Sequence, residues 1–312
     1  MRIIYAGTPL IAVPVLKELV HNFDICAVLT APDAVSGRGK KVEMSDVKKA
    51  ALDLDLSVIA FDKLGPAARE VIRSYKPDLL VCFAYRKIFG PKFMALFPMG
   101  GLNVHPSLLP KYRGPSPINA AILNRDRKTG ISIQTIAQEM DTGNIIKTAE
   151  IELDCTETAE SLNEIVAERA AEIITEAVNS YIGGEKGIKQ DESKASYSGI
   201  IKKQDGLICW TDDVLCIEAK VRAYYPWPKT FTFLKNKRLS IISASVYDNS
   251  KVNHKPGFVL GLDKKAGILI QTGKGIIAVS KLQIEGKKAM DWKSFINGQN
   301  DIIQSILGDE NT

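Results

Sequence analysis

The chain has 312 residues, 45% apolar and 25% charged, with a net charge of +5. That length accommodates two domains, and the composition is ordinary for a soluble globular protein. No run approaches the roughly 20 apolar residues of a membrane span. The Met1-Arg2-Ile3-Ile4-Tyr5 start reads as a strand, not a signal peptide. Cys26, Cys82, Cys155, Cys209 and Cys216 are scattered without a Cys-x-x-Cys, and His21, His105 and His254 lack ligand spacing. Free thiols in a reducing cytoplasm are expected, and no metal site. From Gln190 to Asn300, 18 Lys and Arg face 10 Asp and Glu. A basic C-terminal third suits a polyanionic partner, nucleic acid being the leading case and a solvated lysine-rich face the other.

Arg2–Ala6 is predicted as a buried strand, Ala12–Val20 as a helix and Asp24–Thr30 as a second strand, a βαβ opening that favours a parallel sheet. The first turn is Ala-Gly-Thr-Pro and lacks Gly-x-Gly-x-x-Gly, which disfavours a dinucleotide site there. Ala31–Met44 is expected as a long loop. Its Arg38, Lys40 and Lys41, loosened by Gly37 and Gly39, suit either a grip on phosphates or a solvated tip. The apolar run Leu79–Phe83 reads as a central strand buried on both faces, ending at Ala84-Tyr85-Arg86.

Leu102–His105 is predicted as a strand, so Asn103 and His105, two apart, point to one side. Pro106, Pro110, Pro115 and Pro117 then impose a stiff loop, with Arg113-Gly114 as a turn before a helix opening at Pro117. Leu108 and Leu109 within it either plug the loop into the core or line a pocket. Asn103 and His105 fit a catalytic pair at a strand end; they also fit a histidine satisfied by a backbone carbonyl in a loop that only crosses the sheet. Ile131–Ala137 and Ile145–Leu153 are further strands, and Asp141 between them either serves a site or caps its own turn. Glu160–Tyr181 is an amphipathic helix stopped at Gly183-Gly184. Beyond the polar stretch 185–198, a helix (Asp213–Tyr224) and five short strands with frequent turns suggest a small OB-like β-barrel.

Asn-x-His-x-Ser-Leu-Leu-Pro-x-x-Arg-Gly-x-x-Pro-Ile, from Asn103 to Ile118, resembles the signature of the formyltransferases that use 10-formyltetrahydrofolate, and Asp141-Thr142-Gly143 matches that family's Asp-Thr-Gly. Ala6-Gly7-Thr8-Pro9, the Gly37–Lys41 loop, Pro226-Trp227-Pro228 and Gly286–Met290 extend the resemblance over nearly the whole chain, toward the branch that formylates initiator methionyl-tRNA. The resemblance implies an α/β fold: a doubly wound, mostly parallel, Rossmann-like formyltransferase domain (1–184), a linker (185–198) and an OB-like tRNA-binding barrel (199–312). It implies Asn103, His105 and Asp141 as catalytic residues. It also implies folate against Ala84, Tyr85, Gln138, Glu139 and Met140, with Ser107, Leu108, Leu109 and Pro110 supporting the wall. Arg38, Lys40 and Lys41 are expected to touch the tRNA, in a cytoplasmic monomer without metal. Arg86 departs from the family, which usually has Gly after Ala-Tyr, and so does Cys209, commonly Asp. A formyltransferase acting on an amino sugar nucleotide, a hydrolase releasing formate from the same folate, and a non-catalytic nucleic-acid-binding barrel are the competing readings.

Overall fold

The computed structural model describes residues 1–36, 41–251 and 253–308. Its contacts define two compact units. One comprises Met1–Pro117, Lys128–Glu152 and Asn163–Ser198; the other comprises Ile118–Arg127, Leu153–Leu162 and Gly199–Thr312.

The first unit is built on β1 (Arg2–Gly7), β2 (Asp24–Thr30), β5 (Val58–Ala60), β6 (Leu79–Phe83), β7 (Gly101–His105), β8 (Lys128–Thr135) and β9 (Ile145–Glu152). Between β2 and β5 lies a hairpin of β3 (Ala34–Ser36) and β4 (Lys41–Glu43). The sheet order is β5-β2-β1-β6-β7-β8-β9, parallel as far as β7 and antiparallel beyond. The chain turns back at β1, with β2 on one side and β6 on the other, which is where ligands gather in open α/β sheets, beyond the C-terminal strand ends. All five residues of β6 are buried, as a central strand requires.

Helices α1 (Val13–Asn22), α2 (Asp46–Asp53), α3 (Pro66–Ser74) and α4 (Pro91–Met94) connect the parallel strands. Ser45 Oγ accepts from Lys48 N at 3.0 Å and caps α2. Helix α5 (Pro117–Leu123) opens on proline as expected, and α6 (Ala159–Ile182) buries Val166, Ala170, Ile173, Ile174, Ala177 and Val178. Ile165, on the same helix, is 40% exposed.

Two stretches differ from expectation. The hairpin replaces part of the 31–44 loop, pairing Val35 with Val42; three-residue strands are too short to show a period. Arg38 and Lys40 lie outside the described residues, and Lys41 opens β4. Residues 185–198 are tied into the first unit: Arg113 N donates to Ser196 O (2.8 Å), Ser198 N to Arg113 O (2.7 Å) and Ile188 N to Ile145 O (2.8 Å).

The second unit carries α7 (Val214–Ala223) and an antiparallel sheet of β10 (Thr230–Leu234), β11 (Lys237–Asp248), β12 (Val259–Asp263), β13 (Gly267–Gln271) and β14 (Ile276–Ile284), in the order β10-β11-β14-β13-β12. The short β15 (Met290–Asp291) pairs with β14 and leads into α8 (Trp292–Gly298). The two edge strands are bridged by the C-terminal segment: Val259 N donates to Ser305 O and Gly308 N to Phe233 O. Ile268, Ile270, Ile277 and Val279, alternating along β13 and β14, share a core with Val214, Ile217 and Val221 of α7 and with Phe295. Within that unit Glu218 is buried, its carboxylate accepting from Arg222 Nε (2.6 Å), Arg222 Nη2 (3.0 Å) and Arg125 Nη1 (3.0 Å).

Candidate active site

On β7, Leu102 and Val104 are buried, while Asn103 and His105 occupy the alternate positions, and His105 is the last residue of the strand. His105 is 3% exposed, and its Nε2 lies 2.9 Å from Tyr112 O. A carbonyl only accepts, so Nε2 carries a proton, and in the neutral ring Nδ1 keeps the lone pair. Nδ1 lies 3.5 Å from Asp141 Oδ2. Burial lowers the His105 pKa from its ordinary value; the Asp141 charge and the Tyr112 carbonyl oppose that shift. The imidazole is therefore neutral at pH 7.

Asp141 stands in the corner after β8 with φ +58°, a left-handed conformation Asp tolerates better than most residues. Its Oδ1 accepts from Gln134 Nε2 (3.0 Å) and Asn103 Nδ2 (3.4 Å), and its Oδ2 from the backbone N of Gly114 (2.8 Å). Gly114 is held there at φ +107°, and a Cβ on it would lie 2.5 Å from Ser198 O. Both facts demand glycine. An amide, an imidazole and a carboxylate from residues up to 38 apart thus meet beside β7, where the corner after β8 brings Asp141 back to it.

The loop behind them is internally braced. Ser107 Oγ donates to Lys111 O (2.5 Å), Ser132 Oγ to Ser107 O (2.8 Å), and Leu109 N to Ser132 Oγ (3.0 Å). Leu108 lies over Gly130, where a Cβ would come within 2.6 Å of its Cδ2, and Leu109 is buried. Both leucines plug the loop into the core. Pro110 O accepts from Ser196 N (3.2 Å).

The residues expected against folate divide in two. Ala84 takes φ +52° as the chain leaves β6, a strained turn for a non-glycine residue. The Tyr85 ring does not face outward: it is buried in the core cluster with Phe93 and Phe97 and stacks on Phe89 at 5.5 Å. Its hydroxyl is buried with no hydrogen-bond partner among the described residues, and burial pushes its pKa up to about 12. Tyr85 thus offers a site only its backbone, because the turn at Ala84 reverses the strand alternation. Gln138, Glu139 and Met140 are exposed, Met140 at 58%. Arg86 is exposed as well.

Three groups at the site were missed by sequence reasoning: the Gly114 amide, Gln134 and Gln190. Gln134 carried a signal, since an amide in the apolar run of β8 is buried and must find partners. Gln190, inside a polar stretch, carried none. Its Nε2 donates to Asp141 O (2.8 Å), Gly143 O (2.7 Å) and Gln134 Oε1 (3.2 Å). Its Oε1 accepts from Arg113 Nε (3.1 Å) and Nη2 (2.8 Å).

The formyl transferase family model matches residues 1–178, and the model of the formyl transferase C-terminal domain matches 200–300. A methionyl-tRNA formyltransferase of Treponema denticola is 46% identical over 97% of this chain and 98% of its own length. That of Borrelia duttonii is 38% identical over 98% of this chain and all of its own. Among solved structures, the fold is similar to WlaRD, a sugar 3N-formyl transferase, with a TM-score of 0.65 and 20% identity over 92% of this chain and 99% of that one. It is also similar to HypX from Aquifex aeolicus in complex with tetrahydrofolic acid, with a TM-score of 0.62 and 18% identity over 99% of this chain and 48% of that one. With both domain models matched in order and full-length relatives at this identity, the chain belongs to the formyl transferase family, among its methionyl-tRNA formyltransferases.

Proposed function

We propose that this protein transfers the formyl group of 10-formyltetrahydrofolate to the α-amino group of initiator methionyl-tRNA, in the cytoplasm and as a monomer. The observation that carries the reading is the meeting of Asn103 and His105 of β7 with Asp141 of the corner after β8, in a chain whose relatives are methionyl-tRNA formyltransferases along their whole length. Exposed Met140 offers apolar surface next to the Asp141 carboxylate in the chain. On this reading folate lies along the backbone at Ala84 and Tyr85, the Ser107–Pro110 loop and the Gln138–Met140 corner.

When bound, 10-formyltetrahydrofolate supplies an activated formyl group. Asn103 Nδ2 has two N–H donors and spends at most one on Asp141, so the other is available to a carbonyl oxygen as it gains charge. His105 Nδ1, the unprotonated nitrogen, takes a proton from the attacking amine and returns it to the folate nitrogen as that nitrogen's bond to the formyl carbon breaks. In between, Asp141 Oδ2, 3.5 Å away, stabilises the imidazolium without leaving its bond from Gly114 N.

The test is to incubate the protein with 10-formyltetrahydrofolate plus charged initiator tRNA, an amino sugar nucleotide, or neither, and to follow the formyl group. Transfer to the sugar, or formate released without an acceptor, would replace this reading. The histidine also fixes a pH dependence. Because its pKa is lowered, the neutral form persists below the ordinary imidazole value near 6.5 and is lost only as pH falls further. The acid limb of kcat/KM should therefore lie below about pH 6.5 and disappear in His105→Asn. A limb unchanged in that variant belongs to another group.

The basic loop is assigned to tRNA. Replacing Arg38, Lys40 and Lys41 together by Ala should weaken binding of every tRNA and flatten the salt dependence by up to about three units, roughly one per lost phosphate contact. Folate affinity should stay as it was. An unaltered salt slope would make the loop a solvated tip.

A further inference from the structure

Arg113 is 1% exposed, Gln134 1% and Gln190 5%. All five N–H donors of the Arg113 guanidinium are accounted for. Nε and Nη2 donate to Gln190 Oε1, Nη2 and Nη1 to the Glu192 carboxylate at 2.7 and 2.8 Å, and Nη1 to Tyr197 Oη at 3.3 Å. Glu192 and Tyr197 are themselves exposed, so the strap from Gln190 to Tyr197 wraps a buried cation from outside.

The chemistry of that cation sets a direction. Arginine only donates, so the Gln190 oxygen must face it. The Gln190 nitrogen is then turned to the other side, where two backbone carbonyls, Asp141 O and Gly143 O, can only accept. The same nitrogen lies 3.2 Å from Gln134 Oε1, which turns the Gln134 nitrogen toward Asp141 Oδ1 at 3.0 Å. Each amide is a group whose two ends the network must choose between, and here every choice agrees. We propose that Arg113, Gln190 and Gln134 form a polarity-setting relay that positions Asp141, so that the segment between the two sheets completes the catalytic corner. These are positioning residues, which act through Asp141. The relay fixes the Asp141–Gly143 backbone and delivers an N–H to Oδ1, leaving Oδ2 for Gly114 and His105. The inference rests on the functional reading above.

Two variants of the full chain test it, assayed with 10-formyltetrahydrofolate and methionyl-tRNA beside the wild type. Gln190→Glu keeps the size and the acceptor for Arg113 but turns an oxygen onto three acceptors, reversing the relay. kcat should fall by at least about tenfold, with KM for folate within about twofold, since misplacement costs rate before binding. Gln134→Glu puts a carboxyl where an amide stood 3.0 Å from Asp141 Oδ1. Two carboxylates that close share a proton, so kcat should fall as pH rises, along a limb the wild type lacks. A role confined to stability would lower the melting temperature and create no such limb. A folded Gln190→Glu with wild-type kcat, or a Gln134→Glu with the wild-type pH profile, overturns the relay. Should Gln190→Glu fail to fold, the pH profile of Gln134→Glu decides alone. A wild type unable to formylate methionyl-tRNA overturns the functional reading and the relay with it; an active wild type with indifferent variants overturns the relay only.

Discussion

His105→Ala and Asn103→Ala should each lower the rate constant for formyl transfer by at least about a hundredfold, the usual scale for losing a proton-transfer group or an oxyanion donor. The two losses differ in kind. Without His105, no basic nitrogen faces the Asp141 carboxylate, and the amine must shed its proton to water. Without Asn103, charge developing on the carbonyl oxygen meets one fewer preorganised donor, while His105 and its Tyr112 partner stay in place. A hundredfold corresponds to about 2.7 kcal/mol of transition-state stabilisation. Because both act on the transition state, kcat and kcat/KM should fall together, with little change in KM. Single-turnover rates at saturating folate and tRNA are the measurement, with circular dichroism to show that the variants fold. Near-normal turnover in either folded variant removes that residue from the mechanism.

Glu218→Ala should destabilise the second unit by about 3–5 kcal/mol, the cost of removing one partner from a buried ion pair. Arg222 is buried and donates two bonds to Glu218; its remaining bond is to Glu157 O at 2.8 Å. Arg125 loses its carboxylate as well. The cost is the uncompensated cation and not the worth of the pair itself, so Glu218→Gln, which keeps an acceptor, should cost less. The chain offers a convenient probe: its three tryptophans, Trp210, Trp227 and Trp292, all lie in the second unit. Their fluorescence should report an unfolding midpoint lower by on the order of 10 °C. An unmoved midpoint in Glu218→Ala would mean that the arginines find other partners.

Local spacing made the core of the site legible. Period two put Asn103 and His105 on one side of a strand, and a continuous apolar run marked β6 as central. The long motif after His105 pointed to the chemistry, and Asp141-Thr142-Gly143 supplied the carboxylate. Tyr85 shows where such reasoning stops. Its neighbour Ala84 turns left-handed, and that one dihedral sends the ring into the core instead of toward a ligand.

By itself, then, the sequence determined the βα alternation of the first sheet, the change to successive strands after residue 199, and the placing of Asn103 and His105 on one side of β7. Each of these is written in spacings of two to four residues, which the strand and helix periods convert directly into faces. Only the tertiary structure decided what those groups lean on. Gln190 reaches Asp141 across 49 residues, Arg113 reaches Glu192 across 79, and Gly114 turns its amide to Oδ2 across 27. It also decided that residues 118–127 and 153–162 join the second unit. Polar side chains carry no period, and their partners are fixed by the closure of the fold, where a buried donor must meet whichever acceptor the folded backbone brings to it.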